Sequence, residues 1–484
     1  MPMKRRQFNR YLGQGLAAVG LSPLLTQCDR SDHRSSQSGR PYQSLPRLTS
    51  QNGVLEASLT AQSQSQTIGL SYSGHAPGPI LEARPGDTVR LTLLNELDTS
   101  TNLHFHGLHI SPEIDNVFRE VAAGSSYTYE FQIPLSHPAI TGWYHPHYHG
   151  LVAQQVFGGL AGPIIIRSDL DDIPEIQQAE EALLVLQDFD SALVKSPEIL
   201  SPLAKRWGRE GSILLASGQQ NPIIEIPQKG LLRLRLINAS ASRIYQLQLR
   251  DHPWHLIATD RGAIAEPIEL DTLSLSPGER AELLIPGQLD SGDYPILSLP
   301  YDRGVSEMIA TMGDAAKQIP GLAMPQTTAI ATLRYVPRQR TVALPLPKQL
   351  IPVESMRLPD ATREFVLNHG NDASTNDTGF IINGKSFKMG RVNTQVSLNT
   401  VEDWRIINKA SMDHPFHLHT NRFQVLERNG QPESLRAWKD TVAIGGYETV
   451  TLRVKFEDFI GRTVYHCHIL DHEDQGMMGI VEIT

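Results

Sequence analysis

Histidine, cysteine and methionine crowd into thirteen residues near the end of this chain, His466-Cys467-His468-Ile469-Leu470-Asp471-His472-Glu473-Asp474-Gln475-Gly476-Met477-Met478. Cys467 is one of two cysteines, the other being Cys28, so there is no disulfide framework. A free cysteine is ordinarily a small buried hydrophobe. Two imidazoles beside it, however, would be costly to bury without partners. On a strand, side chains alternate faces. Cys467 would then point one way, and His466 and His468 the other. One strand could serve two metal centres, a thiolate to one and two imidazoles to the next. His472 and Met477 follow five and ten residues after Cys467. A cysteine, two histidines and a weak axial methionine form a blue copper site, so one further histidine must come from elsewhere.

Three more His-x-His pairs lie upstream, His104-Phe105-His106, His145-Pro146-His147 and His417-Leu418-His419. With His466 and His468 they make eight imidazoles, enough for a three-copper cluster shared by two parts of the chain. A single pair of this kind is weak evidence; four of them in matching places are specific.

The elements that position these pairs repeat three times. Asp87–Asn95, Leu231–Asn238 and Val401–Asn408 each alternate apolar and polar residues and end in Asn, the pattern of a half-buried strand. A histidine-bearing segment follows each one, then a glycine shortly before a tyrosine: Gly142 and Tyr144, Gly292 and Tyr294, Gly461 and Tyr465. Three β units are expected, at about 41–168, 178–316 and 335–484. A Pro-rich connector is expected at 313–360, and a helical turn near Glu175–Glu181. In the second unit His252 and His255 sit in DHPWHL, an echo of DHPFHL in the third. That echo lacks the final histidine and a His-Cys-His partner, so it reads as a degenerate repeat without metal.

Together the segments HFHG, WYHPH, HPFHLH and HCHILDHEDQGMM resemble the four copper motifs of the multicopper oxidases. The likeness is to three-domain bacterial laccases and periplasmic copper oxidases. It extends over nearly the whole chain after its leader, including the GLAGPIIIR segment ending at Arg167 and Trp438-Lys439-Asp440-Thr441. It implies an all-β chain of three consecutive cupredoxin-like Greek-key β-sandwich domains, with four coppers. By the resemblance, His414, Cys467 and His472 bind a type 1 copper with Met477 axial, chosen over Met478 by spacing alone. His104 and His417 match the type 2 ligands. His106, His145, His147, His419, His466 and His468 match those of the type 3 pair. His109 and His149 match no ligand position. Asp115 and Glu473 match acids with proton-delivery roles in similar enzymes; either could instead be a solvated acid or accept a hydrogen bond from a ligand imidazole.

The implied activity is laccase-like, with four one-electron oxidations at the type 1 site driving reduction of dioxygen to water. The donor is a phenol, an aromatic amine or a metal ion. Relatives specialised for cuprous ion carry a methionine-rich insertion, whereas Met308, Met312, Met324 and Met356 are sparse here. Copper-free relatives that act as scaffolds supply the alternative, a copper-tolerance or sequestering protein.

Composition sets the remaining bounds. The formal charge of -9 includes a net +4 from the first thirty residues, which argues against a nucleic-acid partner. Lys4-Arg5-Arg6-Gln7-Phe8 followed by a modest apolar stretch reads as a twin-arginine export signal. Residues 1–40 then form leader and tether, and the mature protein is periplasmic, reached through the twin-arginine machinery. Lipid anchoring at Cys28 is disfavoured by Gln27 before it. A monomer is expected.

Overall fold

The alternating strand that ends in Asn organises each third of the molecule. The computed structural model describes residues 39–64, 69–287, 290–337, 342–373, 375 and 378–484. Thr88–Asn95, Leu231–Asn238 and Val401–Asn408 hold equivalent places in three successive sandwiches. Each pairs in parallel with an earlier strand, Val54–Gln64, Glu180–Phe189 or Ala361–Asn371. Each pairs antiparallel on its other side, with Ser126–Gln132, Arg280–Pro286 or Thr449–Lys455. The sandwiches combine sheets of four and five strands, six and five, and six and five. The fold is all-β with three cupredoxin-like domains.

The terminal asparagines have a common task. Asn95, Asn238 and Asn408 are buried. Each side-chain carbonyl accepts the backbone N–H two residues on, and each amide donates to carbonyls of the loops beyond. This is an Asx turn, and in the first and third domains it launches the chain towards a His-x-His segment.

Three expectations need correction. Thr328–Val336 pairs with Ile223–Pro227 and with Asp293–Leu299. The second sandwich therefore runs to Val336, beyond its expected end at 316 and into the expected connector at 313–360, and the strands of the third begin at Ala361, where that connector was expected to end. The middle of Thr328–Val336 is buried on both faces, which removes the alternation by which a strand is recognised. The helical turn covers Pro174–Gln177, and Glu180 already opens a strand. Among the described residues the longest helix, Ser306–Met312, has seven residues, and none is long and apolar enough to cross a membrane. Residues 1–38, with the expected leader and Cys28, lie outside the described residues.

The third correction concerns Leu231–Asn238, which is buried at every position rather than on one face. Its arginines point under the first domain. Arg235 donates to Glu282 at 2.6 Å, to Glu181 at 2.9 Å and to Thr141 at 2.8 Å. Arg233 donates to Glu282 and Asp171, and Arg167 grips Glu181 with both terminal nitrogens. Burial pushes the Glu181 and Asp171 carboxyls up, but the surrounding guanidinium groups outweigh it and hold both below the usual range. Carboxyls with folded values below the unfolded one of about 4 contribute stability that is full above that pH and is lost as pH falls. The melting temperature should therefore drop as pH is lowered below about 4. Glu181→Gln should flatten that dependence while lowering stability at pH 7, both read by thermal melting.

Candidate metal centre

Strand pairing brings the two distant histidine sets to one place. In the first domain His104–His106 lies antiparallel to Ile140–His145, with His104 opposite His145 and His106 opposite Trp143. In the third, His414–Leu418 lies antiparallel to Gly461–Cys467, with Phe416 opposite Cys467 and His417 opposite His466. Alternation does the rest. Phe416 and Cys467 face the third-domain core, while His417 and His466 face the first domain. His104 stacks on His419 at 3.8 Å and His106 on His417 at 3.9 Å across the domain boundary.

All eight paired histidines are at most 2% exposed. His466 Nε2 lies 3.2 Å from His147 Nε2 and 3.1 Å from His419 Nε2. Two further groupings with metal-ligand geometry are His104, His106 and His145, and His104, His417 and His419. Burial pushes His106, His145, His147, His417 and His468 well below the usual imidazole range, and His419 to about 3. These rings are neutral at pH 7, so they offer lone pairs. Several of those lone-pair atoms have no partner, including His104 Nε2, His145 Nε2, His417 Nε2 and both nitrogens of His468. Buried polar atoms are almost always hydrogen-bonded, and so many orphans converging on one spot fit a set of metal ions.

A second cluster lies behind the strand. His414 Nδ1 is 3.5 Å and His472 Nδ1 3.6 Å from Cys467 Sγ, and the two ring nitrogens are 3.2 Å apart. Burial raises the Cys467 thiol far above its ordinary value; only a bound cation would make it a thiolate here. Burial lowers His414 to about 3 and His472 well below the usual range. Met477 is fully buried in the same core as Cys467. Met478 faces a different one, with Val117, Val464 and Ile480. The structure thus separates two methionines that spacing alone had to choose between.

The acids fall around the cluster. Asp115 accepts the Nδ1–H of His104 at 2.9 Å and of His419 at 3.2 Å, which turns both Nε2 atoms inward. Burial opposes its ionisation, but those two imidazoles hold the carboxyl well below its usual range. Glu473 lies 3.0 Å from His466 Nδ1 and 3.4 Å from His147 Nε2. His109 bonds Thr420 O and Asp458, and His149 lies edge-on to Phe387. In the second domain both nitrogens of His252 are engaged, by Pro253 O and Tyr335 Oη.

Sequence reasoning missed what the second domain contributes. Asp440, named before only as part of a motif, lies 3.1 Å from His106 Nε2, and its main-chain oxygen accepts from His417 Nδ1. Arg280 of the second domain clamps Asp440 with two bonds, at 2.6 and 2.7 Å. Two residues before it, a Cβ on Gly278 would lie 2.7 Å from His468 Cδ2 and 3.0 Å from His106 Cε1. Only glycine lets that loop approach so closely. An isolated sequence carries no signal for this, because Arg280 reads as one polar position of an ordinary strand. Arg280→Leu should destabilise the protein by about 3–5 kcal/mol, the usual result of stranding one partner of a buried pair. Adding Asp440→Asn should cost less than the sum of the two single changes, measured by denaturant unfolding.

Comparison with known proteins bears on the same residues. Family models described as multicopper oxidase match residues 54–171, 188–315 and 357–484. The chain is 29% identical over 424 residues to multicopper oxidase mco of Staphylococcus haemolyticus, covering 86% of this chain and 84% of that protein. It is 31% identical over 473 residues to cell division protein FtsP of Escherichia coli, covering 92% and 91%. A solved multicopper oxidase from Campylobacter jejuni, described as a metallo-oxidase, superimposes with a TM-score of 0.76 at 29% identity, covering 92% and 95%. With three matched domains meeting at the buried histidines, this chain belongs to the multicopper oxidase family.

Proposed function

We propose that this protein is a laccase-like oxidase that couples four one-electron oxidations to the reduction of one dioxygen to two waters. The observation that carries this reading is the complete set of ten buried histidines with Cys467 and Met477, many of their ring nitrogens unpaired. His414, Cys467, His472 and Met477 would hold the type 1 copper. His104 and His417 would hold type 2, and His106, His145, His147, His419, His466 and His468 the type 3 pair. Bound copper would supply the one-electron redox couple at the first site and a multi-electron store at the second.

The chain's own residues do the rest. Cys467 is bonded through the backbone to His466 and His468, giving a short covalent route between the two sites. Asp115 orients His104 and His419, and Glu473 lies against His147 and His466. Both are placed to hold or pass protons beside the cluster. Burial of all these side chains would shield the chemistry there from solvent. Export by the twin-arginine route into the periplasm fits a protein loaded with cofactor before translocation. The likeness to FtsP favours a second reading, a structural role in cell division without turnover.

Copper binding separates the two. Loaded protein should bind four coppers, be intensely blue and consume dioxygen with a phenolic or diamine donor; a colourless protein without oxygen uptake supports the structural role. Cys467→Ser should abolish the blue absorption and lower turnover by at least a thousandfold. Asp115→Asn should keep the blue colour and slow reoxidation of the reduced protein by dioxygen about tenfold or more, measured by stopped flow. Unchanged reoxidation removes Asp115 from proton delivery.

A further inference from the structure

The outer edge of the type 1 site is closed. His472 Nδ1 faces Cys467 and His414, so Nε2 is the ring atom directed outwards, and it donates to Arg206 O at 3.0 Å. Phe380 covers a face of the same ring, stacked at 3.9 Å. His472 itself has no exposed surface.

The cap is the helix Pro202–Trp207 of the second domain. Ser201 Oγ accepts the Leu203 N–H at its start, and Gln475 Nε2 donates to Lys205 O from the third domain. Trp207 packs against the core that holds Cys467. Ala204 belongs to a small buried cluster with Ala316 and Leu322, against which partly buried Met308, Met312 and Met324 pack. Three of the four sparse methionines are thus packed on that cluster.

The cap is also positively charged. Its only ionisable residues, Lys205 and Arg206, are exposed, and among the described residues no ion pair involves either. Arg206 also acts inward. His369, edge-on to Phe380 at 5.0 Å, is held below the usual imidazole range by burial and by the Arg206 charge. In the neighbouring loop, whose Phe387 N–H bonds Gly476 O, Lys385 and Lys388 are exposed. Asp372 there is buried and accepts the Ser386 N–H.

We propose that electrons enter through the Arg206 peptide by outer-sphere transfer, and that Lys205 and Arg206 select anionic reductants. The donors would be carboxylated or sulfonated aromatics and anionic metal complexes. A cuprous or ferrous ion would need carboxylates or free thioethers, and this helix presents two cations instead. Each donor loses one electron and forms no bond. Four such electrons and four protons convert one dioxygen into two waters. The proposal rests on the oxidase reading above, and a cluster of one sign changes association rates by about tenfold or more.

The test uses copper-loaded protein and the double variant K205E/R206E, compared donor by donor so that driving force cancels. Reduction of the blue absorption is followed anaerobically with hexacyanoferrate(II) and with hexaammineruthenium(II). The variant should react about tenfold more slowly with the anion and faster with the cation, with the salt dependence of each reversed in sign and the blue spectrum unchanged. Rates that stay the same, or move together for both donors, overturn the proposal. Redox-inert hexacyanocobaltate(III) provides a second readout by calorimetry, with or without copper. Binding that is weakened in the variant supports the cationic cap, and binding that is equal in the two proteins overturns it. A protein that never turns blue sinks the oxidase reading instead, and the calorimetric comparison still decides what the cap binds.

Discussion

The structure depends on the cost of burying polar nitrogen atoms without partners. Eight imidazoles are withdrawn from water at the meeting of the first and third domains, and two more with a thiol inside the third. Each orphaned buried polar group costs on the order of 1–3 kcal/mol, so the arrangement is tolerable only if cations satisfy many of them together. Burial also keeps His106, His145, His147, His414, His417, His419, His468 and His472 neutral, which leaves their lone pairs available to metal. Metal held by histidines of both domains would also tie those domains to one another.

The short helix Leu470–Asp474 shows how the rest of the fold maintains that site. Asp471 forms a buried ion pair with Arg209 of the second domain, at 2.7 Å. Asp474 accepts backbone N–H groups of Gly150 and Ala153, at the start of a first-domain helix that follows His145 and His147. His472 and Glu473 sit between these two anchors. Each acid therefore ties a ligand-bearing turn to a different domain, and no single sandwich could hold the geometry alone. The second domain, which carries no complete histidine motif, supplies Arg280 against Asp440, Gly278 against two imidazoles and the helix over His472. Its part is to fix and cover the site.

How much of this could be read from the residues depends on whether the signal is local. His-x-His and His-Cys-His spacing acts through strand alternation, which is set by backbone geometry within a few residues. The identity of the candidate ligands, the division of Cys467 from its neighbours and the threefold repeat of strands ending in Asn were therefore legible. The burial of Arg233 and Arg235, on a strand whose alternation reads as half-buried, was not legible for the opposite reason. Whether a polar face meets water or carboxylates depends on residues such as Asp171, Glu181 and Glu282, and nothing near the arginines announces them. Thr328–Val336 was missed because burial on both faces removes the alternation.

Sequence by itself determined the chemistry available: which side chains can bind metal, on which face of which strand, and in which family. Only tertiary structure decided how that chemistry is reached and held. It set Met477 apart from Met478 by directing them into different cores. It placed Asp115 between two imidazoles, joined Asp440 to Arg280, and laid Arg206 over His472. Three of these contacts join residues far apart in sequence, 160 for Asp440 and Arg280, 266 for Arg206 and His472 and 304 for Asp115 and His419. Spacing along a chain constrains neighbours a few residues apart, whereas contacts at such separations are chosen by the packing of whole domains.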